Sequence, residues 1–420
     1  MLLNVAIRRS YCYRPVKRWK IFKDLNEDST KKGEVAINLA KHIRNRIIAT
    51  GPITVAQYMT EVLTHPTAGY YMNRDVFGLS GDFITSPEIS QIFGELVAVW
   101  IVNEWVKLGS PQPFQLIELG PGRGTLIKDI LRVLTQLKLS EKLSLHLVEI
   151  SEFLSQLQAQ SICFEFEKLN DCTLPYYQIG KSESGCAVYW YKRLEDIPQD
   201  FAIILAHEFF DAMPVHKLKL MAGIWKEVLI NISEDKLENF KFVLSNSPTP
   251  ISQLFKPLPE ETRTSLEYSL ESDRIVRIIA ERLQCYGGVA LIVDYGHFGE
   301  KVDTLRAFKR HKLHNFLQDP GTADLTADVD FRQLKRVAEE NGMVVCYGPI
   351  EQAQFLMKMN GNLRLQQLLK NAPPGSRELI NSGYAMLTKS DEMGQRYKFI
   401  AMFPSVLRNH LNKYPPIGFD

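Results

Sequence analysis

The stretch Gln115-Leu116-Ile117-Glu118-Leu119-Gly120-Pro121-Gly122-Arg123-Gly124-Thr125 constrains this chain more than any other. Gln115 to Leu119 reads as a short apolar strand. Glycines then occupy alternate positions, Gly120, Gly122 and Gly124. Leu126, Ile127, Ile130, Leu131 and Leu134 follow on one side of a helix. Glycine lets the backbone turn sharply and approach a ligand with no Cβ in the way. The helix start offers unpaired N–H groups and a partial positive charge. Strand, glycine turn and helix start together make a cradle for a nucleotide-like ligand.

The spacing narrows the ligand. Dinucleotide-binding enzymes use Gly-x-Gly-x-x-Gly and seat a pyrophosphate on the helix start. Here the glycines are spaced Gly-x-Gly-x-Gly, and Glu118 lies two residues before the first of them. A carboxylate repels a diphosphate and attracts a cationic amino-acid ligand, so a dinucleotide oxidoreductase fits poorly. The pattern resembles motif I of class I S-adenosylmethionine-dependent methyltransferases. In that reading Gly120, Gly122 and Gly124 admit the amino-acid end of the cofactor, and Glu118 sits near its cationic part.

Strands and helices continue to alternate. Leu143 to Ile150 reads as a strand with Glu149 near its end, where a carboxylate would hold a ribose diol. Ala187 to Tyr191 and Phe201 to Ala206 suit a third and a fourth strand. The fourth runs into His207-Glu208-Phe209-Phe210-Asp211-Ala212-Met213-Pro214, which places Glu208 and Asp211 at the ligand-binding edge of an open parallel sheet. Lys217 to Ser245 reads as an inserted antiparallel ribbon of unassigned partners, and 247–259 as a proline-rich loop. Glu271 to Cys285 is a helix, Gly288 to Tyr295 a buried strand, and Asp330 to Glu340 a helix capped by Asp328 or Asp330. Met343 to Tyr347 and Tyr397 to Phe403 bring the strands to seven. The fold class is α/β: a Rossmann-like, doubly wound seven-strand sheet with a final antiparallel strand, an N-terminal helical segment and an inserted ribbon.

Ahead of the glycine turn, Glu34 to Ala49 and Thr54 to Leu63 read as helices. Gly81-Asp82-Phe83-Ile84-Thr85-Ser86-Pro87-Glu88-Ile89-Ser90 is polar and precedes a helix running to Leu108. It reads as a capped helix start, with Ser86 as N-cap, or as a loop over the cofactor, with Gly81, Asp82 and Ser86 against it. Met1 to Lys23 hold seven Lys or Arg residues and no acid. That stretch resembles a mitochondrial targeting peptide. The expected organisation is a targeting peptide and linker (1–30), a helical segment with a cofactor-covering loop (31–109) and the first half of the core (110–216). An inserted ribbon and helix (217–286), the second half of the core with helical insertions (287–404) and a tail (405–420) complete it.

The formal net charge of +2 gives no argument for nucleic acid. No apolar run is long enough for stable membrane insertion. The six cysteines form no Cys-x-x-Cys pair and fit a reducing compartment. His297, His311 and His314 with Asp294 lack tetrahedral ligand spacing, so no metal is expected.

Five segments together carry a family resemblance: Gly81 to Ser90, Glu118 to Thr125, Glu208 to His216, Asp294-Tyr295-Gly296-His297, and Pro320 to Phe331. In content and order they resemble the MidA family, from about Glu34 to Pro404. Its eukaryotic members are mitochondrial complex I assembly factors of the protein-arginine methyltransferase type. The resemblance implies a mitochondrial matrix enzyme that symmetrically dimethylates an arginine on a quinone-module core subunit of complex I. Glu208 is then the first candidate acid for the substrate, with Glu88 or Asp211 as the second. The chain departs from the family at His207, where Asn is usual. The competing reading is a non-catalytic assembly chaperone with a methyltransferase-like fold.

Overall fold

The computed structural model describes residues 38–76, 85–171, 173–234 and 240–420. The stretch expected to be a targeting peptide, Gly81 and Asp82 lie outside these residues. Seven strands occur in chain order: β1 Phe114–Leu119, β2 Leu143–Val148, β3 Ala187–Tyr191, β4 Ala202–His207, β5 Gly288–His297, β6 Val344–Glu351 and β7 Tyr397–Pro404. They lie side by side as β3-β2-β1-β4-β5-β7-β6. The first five in that order are parallel, and β7 runs antiparallel to both β5 and β6. This is the doubly wound sheet that the alternating pattern predicts, with its reversed last strand.

The chain extends that sheet. Gln178–Ser182 and Cys163–Lys168 add two antiparallel strands beyond β3. The outer one, Cys-Phe-Glu-Phe-Glu-Lys, is exposed along nearly its whole length. Having no buried face, it carries no useful hydrophobic signal in sequence. A short parallel bridge, Val329–Asp330, joins the end of β5.

β1 is buried from end to end. Leu116 faces one core while Ile117 and Leu119 face the other, so a strand covered on both sides reads as a continuous apolar run. The helices Gln91–Lys107 and Thr125–Gln136 cover the first face. Leu270–Tyr286 and Phe331–Glu339 cover the second. Gln91–Lys107 is apolar nearly all round because the helix Gly361–Asn371 packs outside it. Between those two helices the Glu95 carboxylate accepts from Arg364 Nε at 2.6 Å and Nη2 at 3.0 Å, with both side chains buried.

Several element limits differ from expectation. The helix read from about Glu88 is two helices, Ser86–Ile89 and Gln91–Lys107. Thr85, not Ser86, is the first N-cap, and its N–H donates to Glu88 Oε2 at 3.3 Å. Ser90 is extended and caps the second helix by accepting from the Ile92 N–H. The first described helix starts at Leu39, capped by Asn38; Glu34, where the expected helix begins, lies outside the described residues. The 247–259 loop contains the one-turn helix Pro250–Leu254. Asp330 caps Phe331–Glu339 by accepting from Gln333 N–H at 3.1 Å. Thr54 caps Val55–Thr64 as expected.

The ribbon comprises His216–Met221, Ile224–Ile232 and Phe240–Leu244. Its partners are Ile53–Thr54 and Ser265–Tyr268. A third core joins Ile43, Tyr58 and Met59 of the N-terminal helices to Ile230, Phe240 and Leu325. No helix among the described residues is long and apolar enough to cross a membrane. Cys163, Cys186, Cys285 and Cys346 are free thiols.

Arg364→Ala removes one of two guanidinium partners of the buried Glu95, which keeps Arg132 at 3.0 Å and Gln91 Nε2 at 2.9 Å, so it should cost about 1–3 kcal/mol, read as a lower urea midpoint in equilibrium unfolding. Unchanged stability would show that the pair does not hold the C-terminal helices to the core.

Candidate active site

The site is set by strand register. Leu119 lies level with Ala206, and His207 with Val293. Gly120 and Glu208 therefore leave β1 and β4 at one edge of the sheet, level with Asp294 in β5, which runs on to His297. Glu208 N–H still donates to Val293 O at 2.9 Å. Its φ of +50° then turns the chain sharply away from the sheet. A left-handed non-glycine residue costs about 1–3 kcal/mol, so the turn needs support.

Asp294 supplies it. The side chain is fully buried. Its Oδ2 accepts from the N–H groups of Phe209, Phe210 and Asp211 at 3.1, 2.9 and 3.3 Å, and Oδ1 accepts from Tyr295 N–H at 2.9 Å. Three consecutive donors on one oxygen fix the segment that carries Glu208 and Asp211. Sequence pattern could mark Asp294 as a strand-end acid but could not show which loop it holds.

On the cofactor side, Gly120, Gly122 and Gly124 have φ of +61°, +56° and +76°. A Cβ on Gly120 would stand 2.9 Å from the Phe209 ring, and one on Gly124 would stand 3.0 Å from Ile162. Gln158 was not singled out by sequence, yet it locks the cradle. Its Nε2 donates to Gly122 O at 2.8 Å and to Glu149 Oε2 at 3.0 Å, while its Oε1 accepts from Trp190 Nε1 at 2.9 Å. Glu149 Oε1 accepts from Ser151 N–H at 2.8 Å. Burial pushes the Glu149 carboxyl up to about 7, against these hydrogen bonds. Glu118 is also buried, which raises its carboxyl to about 8.

The candidate acids differ in how far they are already engaged. Glu88 Oε1 pairs with Arg123 at 3.3 Å, and its Oε2 closes the Thr85 cap. Arg123 also grips Asp75, with Nε 2.8 Å from Oδ1 and Nη2 2.5 Å from Oδ2. Asp211 Oδ2 accepts from the Tyr295 hydroxyl and from Thr326 Oγ1, the latter at 2.7 Å. Glu208 Oε1 has long contacts alone, with Ser86 N–H at 3.4 Å and His207 Nε2 at 3.5 Å, and Tyr397 bonds the same carboxyl. Burial, then the neighbouring Asp211, holds the Glu208 carboxyl well above the ordinary range. His207 packs edge-on against Phe93 at 5.0 Å. Burial lowers its imidazole to about 3, so it is neutral at physiological pH.

Four buried polar atoms at this sheet edge have no hydrogen-bond partner: Glu118 Oε2, Ser86 Oγ, His207 Nε2 and Asp211 Oδ1. Such an atom costs about 1–3 kcal/mol. Their grouping beside a glycine cradle fits a ligand with cationic and hydrogen-bonding groups, which is what S-adenosylmethionine presents. Of the residues expected around it, Glu118, Gly120, Gly122, Gly124, Glu149 and Ser86 are described and border this edge. Among the described residues one His/Asp/Glu group has donor atoms close together, His42, Glu61 and His65. It lies on the N-terminal helices, and Arg46 already pairs with Glu61 at 2.7 Å.

Fold and site define a class I methyltransferase. Residues 96–350 match the family model of S-adenosyl-L-methionine-dependent methyltransferases of the Methyltransf_28 type, and the chain belongs to that family. Its cofactor is S-adenosylmethionine. The chain is 56% identical over 432 residues to "Protein arginine methyltransferase NDUFAF7 homolog, mitochondrial" of Drosophila melanogaster, covering 100% of this chain and 99% of the relative. It is 46% identical over 371 residues to "Protein arginine methyltransferase NDUFAF7, mitochondrial" of Homo sapiens, covering 87% and 83%. A Burkholderia thailandensis COG1565 superfamily protein, solved with S-adenosyl-homocysteine, shares the fold at a TM-score of 0.71 and 23% identity, covering 88% of this chain and 92% of that one.

Two outcomes follow for the cradle. Gly122→Val should abolish S-adenosylhomocysteine binding in calorimetry while leaving the circular dichroism spectrum intact. Glu118 is mostly protonated at pH 7 in the free chain, and a cation beside it favours the carboxylate. Cofactor binding at pH 7 should thus release a proton, detected by calorimetry in buffers of different ionisation enthalpy, and affinity should fall as pH falls. Glu118→Gln should remove that proton release; its persistence would place the titrating group elsewhere.

Proposed function

We propose that this chain is a protein-arginine methyltransferase acting in the assembly of mitochondrial complex I. The observation that carries the reading is the set of buried carboxyl groups at the end of β4, above all Glu208, whose oxygens have few protein donors. A guanidinium is planar, permanently charged and rich in N–H donors, and it is suited to bidentate binding by carboxylates. The names of the relatives agree with this substrate class. The MidA resemblance extends the proposal to symmetric dimethylation, a quinone-module core subunit and the mitochondrial matrix.

When bound, S-adenosylmethionine supplies an electrophilic methyl group on a sulfonium. The protein must then orient one guanidinium nitrogen and polarise the group, because its lone pairs are delocalised and it stays protonated. Glu208 fits both tasks. Its carboxylate pairs with the guanidinium and draws electron density toward the attacking nitrogen. Its raised proton affinity suits it to accept the proton that this nitrogen loses. The second acid comes from Glu88 or Asp211. Holding the partners in line can supply about 7–11 kcal/mol of the barrier reduction.

Glu208→Gln should lower methyl transfer from labelled S-adenosylmethionine by about 10²–10⁴-fold, with S-adenosylhomocysteine affinity preserved. Full activity would remove Glu208 from the mechanism. The same variant, expressed in cells lacking the native chain, separates enzyme from chaperone: an enzyme requires complex I assembly to fail, whereas a chaperone tolerates the change. The rate of the unaltered chain should also fall on acidification at a pH above the ordinary carboxylate range, because protonating Glu208 removes the group that pairs with the guanidinium.

A further inference from the structure

Two of the sequence motifs, Asp294 to His297 and Pro320 to Phe331, have no direct part in the cofactor cradle. They meet on Asp211. Tyr295 and Thr326 both donate to the same oxygen, Asp211 Oδ2, and their hydroxyls also touch each other. Ala327 N–H donates to Asp211 O at 3.1 Å. Asp294 holds the Asp211 N–H. The residue is thus tied by its N–H, its carbonyl and one carboxylate oxygen. The other oxygen, Oδ1, is buried and has no side-chain partner, and the Ala212 N–H faces the carboxyl.

We propose that Asp211 is the second substrate-facing acid, and that Tyr295 and Thr326 are its positioning residues, holding Oδ2 so that Oδ1 is presented to a guanidinium N–H. This rests on the arginine reading above. It also settles the choice between the two candidates. Glu88 has both oxygens committed, one to Arg123 and one to the Thr85 cap. Asp211 keeps one oxygen without a side-chain partner, in a segment rigid enough to aim it. Two hydroxyl donors on Oδ2 serve a further purpose. They favour the ionised form of a carboxyl that burial drives toward protonation. The charged and titratable groups facing Asp211 are Glu208, Asp294, Tyr71, Tyr295, Tyr397 and Arg306. Glu208 and Asp294 oppose its ionisation, and Arg306 favours it. Glu208 and Asp211 would then take two edges of one guanidinium, leaving its third nitrogen for the methyl group.

The test compares Tyr295→Phe, Thr326→Val and Thr326→Ser with the unaltered chain. It measures methyl transfer to whichever protein arginine the unaltered chain labels. Losing either donor should lower kcat by about 10–10²-fold, with S-adenosylhomocysteine affinity unchanged. It should also move the acid limb of the pH–rate profile upward, because the lost hydrogen bond had favoured the carboxylate. Thr326→Ser keeps the hydroxyl and should recover most of the rate lost in Thr326→Val. Unchanged kcat and an unmoved acid limb in Tyr295→Phe and Thr326→Val would overturn the proposal. So would equal loss in the serine and valine variants, which marks a packing role. If the unaltered chain labels no arginine, the arginine reading fails by itself. Carbon-13 titration of the Asp211 carboxyl then still decides the geometry: Tyr295→Phe must raise its midpoint, and an unmoved midpoint refutes the positioning.

Discussion

The Asp294 carboxylate makes this site possible. It is an acid with no solvent exposure, beside the buried Asp211 and the largely buried Glu208. Burying such a charge is unfavourable unless donors surround it. The donors are the consecutive N–H groups of Phe209, Phe210 and Asp211, which would otherwise be unpaired at the end of β4. One interaction therefore satisfies an acid and a loop together. It couples β5 to β4 where β4 ends, and it sustains the left-handed turn at Glu208. Without it, Glu208 and Asp211 would be side chains on a mobile segment.

The two halves of the site are built in different ways. The cofactor half is local: glycines within five residues, one strand-end acid, and Gln158 reaching across from the next helix to bind both. The substrate half is assembled from distant pieces. Glu208 and Asp211 follow β4, Asp294 and Tyr295 lie in the second half of β5, Thr326 lies on the strand Asp324–Thr326, and Tyr397 begins β7. The register of the parallel sheet brings these ends to one level. The insertion that follows β5 brings Thr326 to Asp211.

That division explains how much was legible in the sequence. The glycine turn, Glu118 and Glu149 could be located because strand, turn and helix leave local periodic signals. The seven core strands could be read for the same reason. The edge strand Cys163–Lys168 could not, since it has no buried face. The break at Ser90 was hidden because apolar residues continue on both sides of it, although Ser90 is itself a good N-cap. Asp294 and Thr326 stood out as parts of motifs. Their purpose depends on contacts spanning 83 and 115 residues, which no local pattern records. Gln158 left no signal, since a glutamine inside a helix looks like any surface residue.

The central claim is that this cluster of acids exists to hold a guanidinium while it is methylated. The most direct measurement is to incubate the chain with methyl-tritiated S-adenosylmethionine and mitochondrial protein from cells that lack it, hydrolyse the labelled product, and separate its amino acids. The account predicts tritium in symmetric dimethylarginine. Tritium confined to methyl-lysine, methyl-histidine or a base-labile ester would contradict it, because none of those acceptors presents the permanently charged, forked set of N–H donors that Glu208 and Asp211 are arranged to grip.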